Sequence, residues 1–391
     1  MKYDFDKLTD RRGTGSLKWD VPHGELPMWV ADMDFETAPE IIRALQERAV
    51  HGIFGYHVVT EDWYEAYRSW WERRHQLEME KEWLIFCTGV VPAISSTVRK
   101  LTTVGENVLI QTPVYNIFFN SIRNNGRNVL ESPLVYKNGE YSIDFADLEE
   151  KLADPQTTLM LLCNPHNPIG KIWDSETLAR IGELCGKHHV LVLSDEIHCD
   201  LTDPEYRYIP FASVSRACRD NSITCLAPTK AFNLAGLQTA AVMVPNPVLR
   251  HKLNRGLNTD EVAEPNAFAV AAAVAAFGQG EEWLEDLRHY LWENKQYVRK
   301  FIGERLPEIR VVPSDATYLL WLDCSLITGD GGALAAFIRR DSGLYLTEGE
   351  EYGEPGKSFI RLNTACPRER LREGLERLER SVKKYGEGVH N

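Results

Sequence analysis

The sequence predicts an α/β fold, with a large domain built on a mostly parallel sheet covered by helices and a smaller α+β domain after it. Three observations predict it. Short runs that are apolar throughout recur along the middle of the 391 residues, as in strands covered on both faces. Helical segments lie between those runs, and such alternation implies a largely parallel sheet. From about residue 283 the pattern changes to one long polar–apolar helix followed by shorter alternating stretches, which suit a smaller domain.

Residues 1–35 read as irregular, because Gly13, Gly15, Pro22, Gly24 and Pro27 interrupt any period. A helix start follows in ETAPEIIRALQERAV. Thr37 is placed to cap it, Glu40 stands three residues on, and Pro39 suits the first turn. Ile41, Ile42, Leu45 and Ala49 give that helix one apolar face. Strands are expected in WLIFCT (83–88), NVLIQT (107–112), TLMLLC (158–163), VLVLSD (190–195), SITCLA (222–227) and TAAVMV (239–244). ETLARIGELCGKH is one of the helices between them, while TYLLWLD and SFIRLN belong to the smaller domain. No linker marks a boundary. The expected division is 1–45, packing with the smaller domain, then 46–282 and 283–391.

A net charge of −13 argues against nucleic acid or an anionic membrane as the main partner, since both select basic patches. Eight dispersed cysteines form no C-x-x-C pair, so neither a zinc ribbon nor a thioredoxin motif is suggested, and no metal site is expected. The first residues, MKYDFDKLTDRRGTG, are charged and lack an apolar signal region. The longest apolar run, AFAVAAAVAAF, is too short to span a bilayer. A cytoplasmic protein with free thiols is expected.

In open α/β sheets ligands sit beyond the carboxyl ends of the strands, and each expected strand ends in capable groups. TGVVPAIS (88–95) places a glycine before a helix, where free backbone amides at the helix start can meet an anion. Tyr115 follows the second strand and offers a ring for stacking. Asn167 lies in the turn NPHNPIG, Asp195 closes its strand in SDEIH, and Thr229 and Lys230 follow in APTKAFNLAGLQ. Each of these alone reads more readily as a turn, a core ring or a solvated charge. Together they are the parts of a pyridoxal phosphate site: an anion turn, an aromatic, a carboxylate for a ring nitrogen and an amine for a Schiff base. Asn167, Asp195 and Lys230 follow one another at intervals of 28 (195 − 167) and 35 (230 − 195) residues.

The whole chain resembles the fold-type I pyridoxal phosphate (PLP) enzymes of the aspartate aminotransferase superfamily. Within them it is similar to the MalY/PatB cystathionine β-lyase branch, the C–S β-lyases. RRGTGSLKWD, WVADMDF (29–35), NPHNPIGKIW, SDEIHCDL, PTKAFNLAGLQ and RLNTACPR (361–368) carry the likeness. The resemblance implies that Lys230 binds PLP as a Schiff base and moves protons, and that Asp195 keeps the ring nitrogen protonated. Tyr115 stacks on the ring and also faces the substrate. Asn167, with His198, bonds the ring's 3-oxygen. Val90, Val91 and Thr229 hold the phosphate. Tyr56, in FGYH, reaches the phosphate from the partner subunit of a homodimer. Arg361 clamps the substrate α-carboxylate, near Asn167 and the backbone of Val30. Two positions depart from many aminotransferases: His198 where a tyrosine stands, and Gln238 where a phosphate-binding arginine stands. Both agree with the lyase branch.

The expected reaction is α,β-elimination of L-cystathionine and related S-substituted cysteines to a thiol, pyruvate and ammonia, with Lys230 or Tyr56 protonating the departing thiolate. An aminotransferase is the alternative. A second is a regulatory role through a protein partner, since some members of the branch bind a transcription activator.

Overall fold

The structure, a computed structural model, describes residues 2–389. Its centre is a seven-stranded sheet. In chain order the strands are β1 (Leu84–Cys87), β2 (Asn107–Ile110), β3 (Asn128–Glu131), β4 (Thr157–Cys163), β5 (Leu191–Asp195), β6 (Ser222–Leu226) and β7 (Ala240–Met243). Their spatial order is β1-β7-β6-β5-β4-β2-β3. Neighbours pair in parallel except β7, which runs antiparallel to both β1 and β6. Six of the seven strands therefore point the same way. Their carboxyl ends share one edge, where Cys163, Asp195 and Cys225 sit in register.

The six strands read from the sequence are all present. They are apolar throughout because alternate residues feed two cores. Val108, Ile110, Leu159, Leu161 and Leu193 join one, with the helices Val90–Leu101 and Pro247–Thr259. Leu109, Met160, Leu162 and Val192 join the other, with Ser175–Lys187. No expected strand covers β3, a half-exposed edge strand whose polar residues break the apolar run.

The first expected helix spans Pro39–His51 with Pro39 in its first turn, but its cap differs. Ala38 takes the N-cap position and no side chain caps it; the Thr37 hydroxyl is buried without a partner. Of its expected apolar face only Ile41 is buried, Ile42 and Leu45 are partly so, and Ala49 is exposed. The long helix is Glu281–Arg305.

A second, antiparallel sheet consists of β8 (Arg310–Val311), β9 (Leu319–Asp323), β10 (Thr347–Glu348) and β11 (Phe359–Asn363), in the order β8-β9-β11-β10. The N-terminal segment is not wholly irregular. Leu26–Pro27 pairs in parallel with Leu344–Tyr345, and Trp19, Leu26 and Met28 pack into the core of the second sheet. No helix among the described residues is long and apolar enough to cross a membrane.

One buried ion pair fixes the second sheet's long helix to the loop beyond Asp195. Lys295 Nζ donates to Asp203 Oδ1 at 2.6 Å and to the Thr317 carbonyl at 3.4 Å. Both charged side chains are buried. Removing one partner of such a pair strands the other charge, which costs about 3–5 kcal/mol. Asp203→Ala is expected to lower the unfolding free energy by that amount in chemical denaturation, and a wild-type midpoint would contradict it.

Candidate active site

The carboxyl edge of the large sheet opens into a cavity of about 280 Å³. It gathers Val90, Val91, Tyr115, Asn167, Asp195, His198, Thr229 and Lys230 from separate strand ends. Each arrives by the same device: a strand ends at the edge, and the next residues turn over it. Val90 and Val91 are the first residues of the helix Val90–Leu101, so their amides lie in its first turn, where no intrahelical acceptor is available.

The N-terminal segment roofs this cavity. Lys230 Nζ donates to the Ala31 carbonyl at 2.5 Å, and the Tyr318 hydroxyl donates to the same oxygen at 3.0 Å. Asn233 accepts from the Met33 amide at 3.0 Å and donates to the carbonyls of Met33 and Phe35, each at 3.0 Å. Arg361, on β11, donates to the Trp29 carbonyl at 2.8 Å and to Asn167 Oδ1 at 3.3 Å. Its Nε is buried and unpartnered. Val30 stops short of the cavity lining, and its carbonyl accepts from Asn363 Nδ2 at 2.6 Å, while the next residue, Ala31, lines the cavity.

Desolvation sets the protonation states. Burial pushes the Asp195 carboxyl up to about 6, against a bond from the Ile197 amide and the charge of Lys230. Burial and then the Arg361 guanidinium bring the Lys230 ammonium down to about 8. Burial, Lys230 and Arg361 bring His198 down to about 3, so its imidazole is neutral near pH 7. Burial and then Asp195 raise the Tyr115 phenol to about 12.

Tyr56 does not reach this cavity within its own chain. It is fully exposed, on a stretch that also exposes Val50, Ile53, Phe54 and Val58. The sequence offered no sign of Tyr318, Asn233 or Asn363, which act on residues far away along the chain. Cys163 and Gln238 also line the cavity; Gln238 adopts a left-handed φ of 54°.

The donor set fits a phosphorylated pyridine aldehyde. An amine with a lowered proton affinity, a buried carboxylate short of cations and an anion-facing helix start share one space. His198 Nδ1, buried without a partner, adds a further polar atom awaiting a ligand. Such a set at the carboxyl edge of a mostly parallel sheet defines a PLP-type α/β enzyme.

Known proteins agree. The aminotransferase class I and II family matches residues 26–378, and the chain belongs to that family. It is 42% identical to cystathionine beta-lyase PatB of Bacillus subtilis, over 97% of this chain and 100% of the relative. It is 33% identical to protein MalY of Escherichia coli, over 97% and 99%. The crystal structure of cystalysin from Treponema denticola, which contains pyridoxal 5'-phosphate, superposes with a TM-score of 0.95 at 33% identity, covering 98% of this chain and 100% of that one.

A pH dependence follows from the lowered Lys230 value. The neutral amine that attacks an aldehyde predominates above about 8 rather than above 10.5. Apoprotein mixed with PLP is expected to incorporate it at a rate that climbs up to about pH 8 and then flattens, followed by stopped-flow absorbance. A rate still climbing near pH 10 would contradict the desolvated amine.

Proposed function

We propose that this chain is a PLP-dependent carbon–sulfur β-lyase acting as a cytoplasmic homodimer on L-cystathionine and related S-substituted cysteines. One observation carries the reading: Lys230 and Asp195 line one cavity, and Arg361 is bonded to Asn167 of its lining. The identity to PatB and MalY supports the sulfur chemistry. His198 and Gln238, at positions where many aminotransferases carry tyrosine and arginine, support it further.

When bound, PLP would supply a ring that accepts the electron pair left at the substrate Cα. Asp195 would keep the ring nitrogen protonated, Asn167 and neutral His198 would meet the 3-oxygen, and Tyr115 would stack on the ring. Val90, Val91 and Thr229 take the phosphate. Arg361 binds the substrate α-carboxylate through its fork, with Asn167, Tyr115 and the Val30 backbone beside it. The Lys230 amine takes the Cα proton. The Cβ–S bond breaks with its electron pair leaving on sulfur, and Lys230 or Tyr56 protonates the thiolate. The remaining three-carbon fragment takes up water and becomes pyruvate and ammonia.

In this reading residues 1–45 pack with a small domain, 283–391, over a PLP-binding domain, 46–282. Tyr56 reaches the phosphate of the partner subunit. The exposed apolar stretch around it supports burial against a second copy.

Purified PLP-loaded protein given L-cystathionine and no keto acid is expected to release pyruvate and thiol together over many turnovers. A single turnover that restarts only with a keto acid would mean an aminotransferase instead. Lys230→Ala, with PLP present, is expected to lose about 10²–10⁴-fold or more in turnover; retained turnover would overturn its role. The shared site has its own test. Tyr56→Ala and Lys230→Ala proteins, unfolded and refolded together, are expected to regain activity toward about a quarter of wild type, because mixed dimers hold one intact site. No recovery in mixed dimers isolated with two tags would contradict a tyrosine given across the interface.

A further inference from the structure

The reaction leaves one charged group near Arg361 without a use. Glu351 lies on the short turn Gly349–Tyr352, and its Oε2 accepts a 2.9 Å hydrogen bond from Asn116 Nδ2. Asn116 directly follows Tyr115, which lines the cavity. On its other side Glu351 is followed by Tyr352, whose ring centroid lies 4.9 Å from the Arg361 guanidinium carbon. The Tyr352 carbonyl accepts from the Val114 amide at 2.9 Å.

The turn is closely packed against the Tyr115 loop. A Cβ on Gly353, at φ +113°, would come within 2.8 Å of Thr112 Cγ2. A Cβ on Gly349 would come within 2.2 Å of the Gly356 carbonyl oxygen. The backbone that carries Glu351 is therefore fixed against the Tyr115 loop, while its side chain is exposed and is tied to that loop by the Asn116 hydrogen bond.

This placement is electrostatically odd for a site that binds a carboxylate. Partial burial, and then the neighbouring Glu348, push the Glu351 carboxyl up, while Arg361 and the Asn116 amide act the other way. Among the described residues Glu351 has Asn116 as its hydrogen-bond partner and no ion-pair partner. An acid there opposes the substrate's α-carboxylate on Arg361, unless the substrate brings a cation to the same place. The substrate's own α-amine is taken up at the cofactor. A second cation must come from the other end of the substrate, the arm that leaves as a thiol.

We infer that Glu351, positioned by Asn116, is a specificity residue that receives an ammonium group on the leaving-thiol arm of the substrate. The inference rests on the lyase reading above. The substrates favoured are S-substituted cysteines whose departing thiol is an amine, over those whose thiol is neutral and of equal length. The interaction is one charge-assisted hydrogen bond at a partly exposed site, so its expected size is about tenfold in discrimination.

The test compares S-(2-aminoethyl)-L-cysteine with S-propyl-L-cysteine, which have equal arms and differ in the terminal charge. kcat/KM for thiol release is measured with PLP-loaded wild type and with Glu351→Gln, which keeps an oxygen for Asn116. The ratio of aminoethyl to propyl substrate is expected to fall about tenfold in the variant. Each ratio is taken within one preparation, so a reduced folded fraction cancels. Thiol from both substrates at an unchanged ratio overturns the inference and leaves the lyase standing. No thiol from either substrate with wild-type protein overturns the lyase reading, and the inference with it.

Discussion

Desolvation of the charged groups around one cavity at the sheet edge is the constraint on which the rest of the site depends. In water a lysine amine and an aspartate carboxyl would hold opposite full charges near neutral pH and do little chemistry. Burial brings Lys230 down and Asp195 up, toward each other. The sheet makes this geometry available without special devices. Six strands run in one direction, so the turns after them converge over a single edge whose two faces are already covered by apolar cores.

The roof over that edge comes from elsewhere in the chain. The N-terminal segment is tied down by carbonyls that accept from Lys230, Tyr318, Arg361 and Asn363. It is also held by charge: Lys18 and Asp34 are buried together, with Arg11 and Arg370 closing on Asp34 at 2.8 and 3.0 Å. A buried cluster of this kind is a costly way to gain stability but a definite way to fix one arrangement. Here the arrangement it fixes is the ceiling above the Lys230 amine. Arg361 joins the same ceiling through the Trp29 carbonyl, so its guanidinium fork and the roof are positioned together.

How much of this was legible in the sequence followed the range of each interaction. Strands buried on both faces announce themselves as unbroken apolar runs, and β4 and β5 did so with the site residues at their ends. The ordered appearance of Asn167, Asp195 and Lys230 gave the chemistry because each sits where a strand stops. Edge strand β3 carried no such run, and Thr37 matched a capping pattern that the backbone did not use. Nothing local marked Tyr318 or Asn363, whose importance lies in carbonyls nearly three hundred residues or more away. Glu351 was equally silent, since an acid in a Gly-Glu-Glu-Tyr turn looks like a solvated charge until the next residue, Tyr352, is seen against Arg361.

The central claim is that Lys230, and no other of the chain's lysines, is the amine made reactive by this cavity. The direct measurement is to load the protein with PLP, reduce it with borohydride, digest it and locate the pyridoxyl group by mass spectrometry. The account requires the label on Lys230, in the peptide containing APTKAFNLAGLQ, at about one per chain. A label on another lysine, or one scattered among several, would contradict it.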